Sequence, residues 1–255
     1  MNISQHIFLF LQEKSMIDLD EIFSHTDVST IIGRLKERSV SVPSWSQLIT
    51  EYEPRLHEIV EDKVGRRDKE LPGGAVEKAA RIPIGLEKLL TRRISEFTVS
   101  IPVKRVYSYD RNDDTLKSIA KAIEKIYTNA HIDAENMKRA KCLYASCEMF
   151  TLWYTQRKRN KLYGFDSEYK LKCRTFSPMD GVRIYPLFDE YEDLLALSFE
   201  YEKKVADTKI TFFETFTATH HYKWSLSSED NANGWQPIIS DEISIEKIPA
   251  VYWYR

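Results

Sequence analysis

A basic run in the middle of the chain has the residue types that contact phosphate. Arg157, Lys158, Arg159 and Lys161 lie within five consecutive residues, and such a cluster could bind DNA or an acidic partner through its charges. Five residues without supporting aromatic side chains are a small footprint for nucleic acid. The alternative is a solvated hairpin end that like charges keep soluble. These four residues are the candidate contacts with DNA or a partner.

Two other clusters carry side chains that can bind metal ions. His220 and His221 are neighbours, and in a strand their imidazoles point to opposite faces, so they cannot easily hold one ion. A run of four acidic residues could attract a cation, but hard cations need several oxygens that converge. This run is Asp189, Glu190, Glu192 and Asp193. We interpret the histidines as structural and the acidic run as a surface turn before a strand.

Aromatic residues form a further group towards the C-terminal end of the sequence. The group comprises Tyr222, Trp224, Tyr252, Trp253 and Tyr254. Most residues of this kind belong to a core, although tyrosine and tryptophan are also enriched at interfaces. The group therefore indicates either part of the core or a surface for a partner.

The known catalytic motifs are missing from the sequence. It contains no Walker-type loop, no dinucleotide-binding glycine fingerprint, no zincin helix and no nucleophile elbow. With eight glycines in 255 residues, a loop that cradles phosphate has little to be built from. We therefore name no catalytic, metal-binding or cofactor-binding residue and expect no cofactor, although catalysis could still be built from dispersed residues.

The charge balance and the cysteine content limit the class of protein. The chain contains 37 Lys and Arg against 39 Asp and Glu, whereas a dedicated nucleic-acid-binding domain usually has a basic excess. Three cysteines are too few for a disulfide scaffold, so we expect reduced thiols in a cytoplasmic setting. No stretch is long and apolar enough to span a bilayer, and we expect no membrane partner.

The stretch Asp133–Phe176 must position the basic run. Its spacing predicts a helix capped by Asp133, which changes to strand periodicity at Met149. The chain is then predicted to turn through Arg157–Ser167 and to return as a strand of alternating apolar and charged residues. The prediction is a long β-hairpin with a basic tip and one wet face.

Helical patterns dominate the first half of the chain. Short helices are predicted at residues 3–13, 18–23, 27–38 and 43–52, and long helices at Ile82–Ser100 and Asp114–Ala130. We expect Trp45, Leu48, Ile49 and Tyr52 to be buried. One face of the first long helix is apolar and comprises Leu86, Leu89, Leu90, Ile94 and Phe97, whereas Arg92 and Arg93 are expected at the surface. Val103–Tyr109 is predicted to be a strand.

Strand patterns dominate the chain after the hairpin. Alternating residues predict strands at Val182–Tyr185, Leu195–Glu202, Ile210–Phe216 and His220–Leu226, and a last short strand at Ile243–Ile248. The run Leu71-Pro-Gly-Gly is a strong turn signal. We therefore predict a helical arm at residues 1–61, a linker at 62–78 and an α+β domain at 79–255.

The order of these elements is more informative than any motif. A proline-containing strand, Ser100-Ile-Pro-Val, follows the first long helix, and a later helix leads directly into Phe150-Thr-Leu-Trp-Tyr. Further on come Phe176-Ser-Pro-Met-Asp-Gly-Val and Lys247-Ile-Pro-Ala-Val-Tyr-Trp-Tyr. From Ala79 onward this order resembles the portal proteins of tailed bacteriophages. Two departures are the absence of glycine at Arg93–Ile101 and the pair Cys147-Glu148, where the family often has a glycine.

The resemblance implies a fold and a role. The fold is α+β, with an N-terminal helical arm and long helices packed on mainly antiparallel sheets, as in the portal wing. The resemblance implies a structural subunit of a ring, usually of twelve copies, at the capsid vertex, which carries no catalysis of its own and is not an enzyme. DNA is packaged and ejected through such a ring, which docks the terminase, the head-tail connector, and capsid and scaffolding proteins. The implied location is the virion, after assembly in the cytoplasm of the bacterial host.

The resemblance also leads to expectations about assembly. The chain would be a wing-region fragment without stem, clip and crown, and we expect it to be monomeric or weakly associated by itself. Candidate ring contacts are the helix at Asp114–Ala130 and the basic hairpin. The alternatives are a nucleic-acid-processing enzyme or a host-interaction protein with an α+β fold, and a general binding module.

Overall fold

The computed structural model describes residues 18–37, 40–60, 67–205, 207–227 and 234–255. Its described helices are α1 (Leu19–Ser24), α2 (Val28–Leu35), α3 (Trp45–Tyr52), α4 (Leu86–Val99), α5 (Asp114–Asn129) and α6 (Ile132–Ser146). Short 3₁₀ turns occupy Pro54–Leu56, Glu58–Val60 and Pro178–Asp180. The fold is α+β, as predicted. The helix predicted at residues 3–13 lies outside the described residues.

The strands follow mainly after the helices. They are β1 (Lys69–Glu70), β2 (Val76–Glu77), β3 (Glu148–Asn160), β4 (Ser167–Phe176), β5 (Arg183–Phe188), β6 (Leu194–Val205), β7 (Thr208–Thr217), β8 (His220–Ser227), β9 (Gln236–Glu242) and β10 (Ala250–Tyr254). They form a small β1-β2 hairpin, a sheet of order β10-β3-β4 and a sheet of order β5-β6-β7-β8-β9. The strand pairs of the five-stranded sheet are antiparallel.

Aspartate side chains cap several helices whose starts the sequence predicts. Asp18 accepts from the backbone N–H of Asp20 at the start of α1, and Asp27 accepts from that of Thr30 in α2. Asp113 accepts from the backbone N–H groups of Thr115 and Leu116 and so begins α5. These caps satisfy N–H groups that the first helical turn leaves without a partner.

The cap predicted for α6 is wrong by two residues. The helix begins at Ile132 after His131, which adopts a left-handed conformation with φ of 51°. Asp133 instead lies in the first turn, where it accepts a hydrogen bond of 3.2 Å from Arg105. A carboxylate in the first turn still lies near the positive end of the helix. Asp133 therefore correctly marks the start of the helix but does not occupy the capping position.

Two strand predictions are also wrong. Val103–Tyr109 has no strand, because none of the described strands lies alongside to complete a hydrogen-bonded ladder. Ile243–Ile248, predicted as the last short strand, instead forms a turn between β9 (Gln236–Glu242) and β10 (Ala250–Tyr254). Six of the seven residues of β9 are exposed, so this edge strand lacks the apolar alternation that would have identified it.

Contacts divide the chain into two compact units. One comprises Met1–Ser41, Phe150–Leu152 and Asp180–Tyr252, and the other comprises Val42–Met149, Trp153–Met179 and Trp253–Arg255. The first unit holds the five-stranded sheet, α1 and α2, and the second holds α3 to α6 and most of the β3-β4 hairpin. The boundaries predicted at residues 61 and 78 stay a prediction.

The core of the first unit lies between the helices and one face of the five-stranded sheet. Its buried residues are Ile22, Ile31, Ile32, Leu35, Leu187, Ala196, Phe213 and Trp224. Lys36, just after α2, pairs with the buried carboxylate of Glu200, which also accepts from Arg183 at 2.8 Å. The pairing supplies the partners that a buried charge requires.

Candidate assembly surfaces

Helix α4 lies with its polar side inwards. Thr91 and Ser95 are its buried residues, and the Ser95 hydroxyl donates to the Thr91 carbonyl at 2.7 Å. The helix packs against α6, whose buried residues Ala140, Ala145 and Ser146 are also small. Small side chains on both helices allow their backbones to approach closely, and they fix the rotation of α4 about its axis.

The apolar side of α4 therefore faces outwards. We call its five residues the outer stripe; Leu86, Leu89, Leu90, Ile94 and Phe97 are 50%, 52%, 50%, 42% and 92% exposed. The periodicity correctly predicts that they share a face, but the expectation of a buried apolar face fails. A sequence pattern shows that one side of a helix is apolar and does not show what covers that side.

Further apolar residues extend the outer stripe at both ends of α4. Ile82 and Ile84 precede the helix, and Ile101, Val103 and Val106 follow it; each is at least 60% exposed. Monomeric proteins rarely expose contiguous apolar patches larger than a few hundred Å². This part of the second unit therefore has the character of an interaction surface.

Helices α3 and α5 of the second unit are also less buried than their patterns suggest. None of the residues of α3 is fully buried, although Trp45, Leu48, Ile49 and Tyr52 were expected to be. In α5 the predicted start is confirmed, but Leu116 and Ile119 are exposed. Apolar surface on α5 keeps it a candidate for a contact between copies.

The basic run lies at the end of a strand. The predicted turn begins too early, because β3 continues to Asn160 and β4 begins at Ser167. Arg157, Lys158 and Arg159 thus belong to β3, and only Lys161 lies in the turn. The strand tolerates these charges because this end of β3 is exposed.

One of the four basic residues is already paired. The Arg159 Nε and Nη2 atoms lie 3.1 Å and 2.5 Å from the Asp166 carboxylate. Among the described residues, no carboxylate forms an ion pair with Arg157, Lys158 or Lys161. The basic run therefore offers three uncompensated charges to phosphate or to an acidic partner, which is one fewer than the sequence indicates.

The two histidines hold different partners. The Nε2 atom of His221 lies 3.2 Å from the Glu214 carboxylate, and its ring stacks on Phe216 at 4.1 Å. The Nδ1 atom of His220 lies 2.9 Å from the Thr219 hydroxyl. In the described parts of the chain, no three His, Cys, Asp or Glu side chains are grouped as a metal site requires.

The acidic run closes the turn between β5 and β6. One carboxylate oxygen of Asp189 accepts from the backbone N–H groups of Tyr191 and Asp193, each at 2.8 Å. Glu192 adopts a left-handed conformation with φ of 66°. The prediction of a surface turn before a strand is confirmed, and Asp189 shapes this turn.

The aromatic group divides between the core and the surface. Trp224 is buried, and Tyr222 stacks on Phe23 of α1 at 4.5 Å. Trp253 and Tyr254, by contrast, are about half exposed in the edge strand β10. The core interpretation is therefore confirmed for Trp224 and Tyr222, and a partner surface at Trp253 and Tyr254 stays a prediction.

The five-stranded sheet contains a polar network that was not predicted from the sequence. Glu214 is buried, and its carboxylate accepts from the Tyr201 hydroxyl at 2.5 Å and from the Lys223 ammonium at 2.7 Å. Burial works to raise the pKa of this carboxyl, but hydrogen bonds from His221, Lys223 and Tyr201 outweigh burial and lower the pKa to about 2. Burial and the bond to Glu214 raise the pKa of Tyr201 to about 12.

None of the helices in the described part of the chain has the length and hydropathy of a membrane-spanning segment. A family model described as phage portal protein, SPP1 Gp6-like, matches residues 38–254. The chain belongs to this phage portal protein family. The match begins well before Ala79, where the sequence resemblance begins, and it includes α3 to α6 and the strands that follow. No curated protein matches the chain.

Membership of the portal family decides the class of protein. Phage portal proteins are structural components of the virion and not enzymes at the level of the family. The functional parts of such a protein are the surfaces that contact other molecules. In this chain the described candidates are the outer stripe of α4, the exposed apolar side of α5 and the basic run at the end of the β3-β4 hairpin.

Proposed function

We propose that this portal protein is a subunit of a ring at the capsid vertex, through which phage DNA is packaged and ejected. The observation that carries the proposal is the family match over residues 38–254. The outer stripe supports it, because a structural subunit needs surfaces that other subunits cover. The role is geometric, and the protein supplies contacts and a passage rather than catalysis.

The proposed ring has the partners that the portal role requires. These are further copies of the chain, expected to number twelve in the complete ring, together with the terminase, the head-tail connector, and capsid and scaffolding proteins. The ring assembles in the cytoplasm of the bacterial host and becomes part of the virion. Double-stranded DNA passes through it without a chemical step on the protein.

The experiment that tests this role removes the gene from the phage. Without a portal we expect infected cells to contain capsid shells that hold no DNA, and a plasmid copy of the gene should restore filled heads. Electron microscopy of sectioned cells and DNA measurements on purified heads give the result. Filled heads in the absence of the protein would contradict the proposal. Hydrolysis of DNA or ATP by the purified protein would instead favour an enzyme.

A further inference from the structure

We propose that the face of β4 that points away from α6 binds an extended acidic segment of another protein. Three cations lie on that face, and we call Lys170, Lys172 and Arg174 the basic row. The proposal goes beyond the proposed function, which assigns no partner to this strand. It concerns a surface of the isolated chain, so it can be tested whether or not a ring forms.

The contacts of β4 with α6 fix the direction of the basic row. The Cys173 sulfur accepts a hydrogen bond of 3.0 Å from Arg139, and the Thr175 hydroxyl donates one of 2.8 Å to Glu135. Both partners belong to α6, so the side chains of Cys173 and Thr175 face this helix. Because successive side chains of a strand point to opposite faces, the basic row points away from α6.

The basic row lacks carboxylate partners within the described part of the chain. None of its members forms an ion pair there, and Asp166, in the turn before β4, is paired with Arg159 at 2.5 Å. The Arg174 guanidinium lies 4.7 Å from the centre of the Phe176 ring, a cation–π contact that positions the group without neutralising it. Residues 153–176 contain seven Lys and Arg against two Asp and Glu, whereas the complete chain has a net charge of -2. An anionic partner would compensate this local excess of positive charge.

The spacing of the basic row matches that of an extended peptide. Alternate residues of a strand recur about every 6.7 Å, so the three cations form a line with that repeat. Carboxylates at alternate positions of an extended segment have the same repeat. Each carboxylate can therefore meet one cation, which is the electrostatic complementarity that fixes the register of a bound partner.

The charge at one end of the basic row favours a protein segment over a nucleic acid. Glu168 lies on the same face of β4, at the alternate position before Lys170, and is exposed. A nucleic acid carries a phosphate at every step of its backbone, so a strand that follows the row would place a phosphate beside this carboxylate. A protein segment can instead place a neutral or basic residue there and acidic residues opposite the three cations.

Two peptides of equal composition test the spacing. Fluorescein-labelled Thr-Glu-Thr-Glu-Thr-Glu-Thr carries its carboxylates at alternate positions, whereas Thr-Thr-Glu-Glu-Glu-Thr-Thr carries them consecutively. In fluorescence anisotropy titrations with the purified chain at low salt, we expect the alternating peptide to bind about fivefold more tightly, because only this peptide pairs with all three cations at once. Equal affinities for the two peptides, or no binding of either, would overturn the proposal.

Two pairs of substitutions test the location. Lys170→Ala with Lys172→Ala removes two cations of the row, and we expect the dissociation constant of the alternating peptide to rise about fivefold. Lys117→Ala with Lys121→Ala removes the same charge from exposed positions of α5 and should leave that constant unchanged. Circular dichroism should show the same secondary structure in both variants. An equal loss of affinity in both would indicate an effect of net charge alone and would overturn the proposal.

A short DNA duplex distinguishes the two classes of anionic partner. The substitutions at Lys170 and Lys172 should weaken binding of the duplex less than they weaken binding of the alternating peptide, because Glu168 repels a phosphate beside the row. An equally large loss for the duplex would make the row a nucleic-acid contact and overturn the assignment to a protein segment. Neither assay depends on head assembly. Empty heads without the gene, combined with equal affinities for the two peptides, would retain the portal role and remove this partner.

Discussion

At the scale of single residues, Glu214 shows how a buried carboxylate can be kept ionised. Tyr201, His221 and Lys223 approach it from neighbouring positions of β6 and β8. Strand pairing places Lys223 directly opposite Glu214, and burial strengthens each of these charged hydrogen bonds. The sequence contains all four residues, but only the register of three strands brings them together, so no local pattern could have predicted the network.

The depressed pKa of Glu214 has a defined effect on stability. The folded pKa of about 2 lies below the ordinary glutamate pKa of 4.5, so the carboxylate stabilises the fold above pH 4.5, and this stabilisation is lost as the pH falls from about 4.5 towards 2. In urea unfolding we expect the stability difference between the parent and Glu214→Gln to shrink by about 1 kcal/mol between pH 6.5 and pH 3.5.

A second substitution isolates that effect. Glu202→Gln removes an exposed carboxylate from β6, which pairs with Lys209 at the surface. The difference in the free energy of unfolding between Glu202→Gln and the parent should change little over the same pH range, because exposed ion pairs contribute little to stability. If Glu214→Gln behaved like Glu202→Gln, the network would not hold the carboxylate in its charged form.

At the scale of secondary structure, α4 shows that apolar spacing predicts a helix and its apolar face but not whether that face is buried. The spacing of its apolar residues predicts the helix and the shared face, and both are confirmed. The direction of that face depends on Thr91 and Ser95 and on the small residues of α6. The sequence shows that α6 contains small residues, but it does not show which helix packs against them.

The buried side of α4 should be intolerant of larger residues. Ser95→Leu inserts an apolar side chain into the contact with α6, and we expect it to lower the free energy of unfolding by about 2 kcal/mol because overpacking forces the helices apart. Thr98→Leu makes a comparable change at an exposed position of the same helix and should stay within about 0.5 kcal/mol of the parent. Thermal or urea denaturation measures both variants.

The same comparison can contradict the described packing. If Ser95→Leu were as stable as Thr98→Leu, the inward side of α4 would have room for a large residue. The rotation of α4 would then not be fixed, and the outward direction of the stripe would lose its physical basis.

The uncompensated charges at the end of the β3-β4 hairpin lead to a prediction about the salt dependence of DNA binding. Lys158→Ala together with Lys161→Ala removes two uncompensated cations, so the slope of log K for double-stranded DNA against log salt should become shallower by about 2. Asp166→Asn should instead strengthen binding, because it releases Arg159 from its partner. Fluorescence anisotropy with a short duplex at low salt measures each affinity.

That assay also has a decisive negative result. An unchanged salt slope in the double variant would show that Lys158 and Lys161 do not contact phosphate. The basic run would then be a solvated strand end, which is the alternative that the sequence leaves open.

At the scale of the whole molecule, self-association should respond to solvent as an apolar contact does. Apolar contacts weaken on cooling and are not screened by salt, whereas contacts between exposed charges weaken as salt rises. We therefore expect the dissociation constant of the purified chain to change by less than about twofold between low and moderate NaCl, and to rise on cooling. Sedimentation at several concentrations measures it.

A strong salt effect would point to a different contact. If moderate NaCl weakened association about tenfold, the basic run and the acidic turn would be better candidates than the outer stripe. The variants Lys158→Ala and Lys161→Ala would then weaken association, whereas Leu90→Lys would not.

The sequence predicts the architecture better than the surfaces. The change from helices to strands, the helix starts near Asp18, Asp27 and Asp114, and the family are confirmed. The failures at Val103–Tyr109 and at β9 have one physical cause, because a strand is defined by a partner that lies elsewhere in the chain. The prediction that the outer stripe is buried fails for a related reason, because burial depends on neighbouring elements that the periodicity of one helix does not identify.

The junction between α6 and β3 has a mechanical consequence. Cys147 alone separates the two elements and adopts a left-handed conformation with φ of 61°, which glycine reaches at lower cost. Because no loop intervenes, the direction in which β3 leaves α6 depends on the backbone angles of this one residue. Glycine at Cys147 would relieve the strain of the left-handed conformation and would widen the range of angles open to the junction.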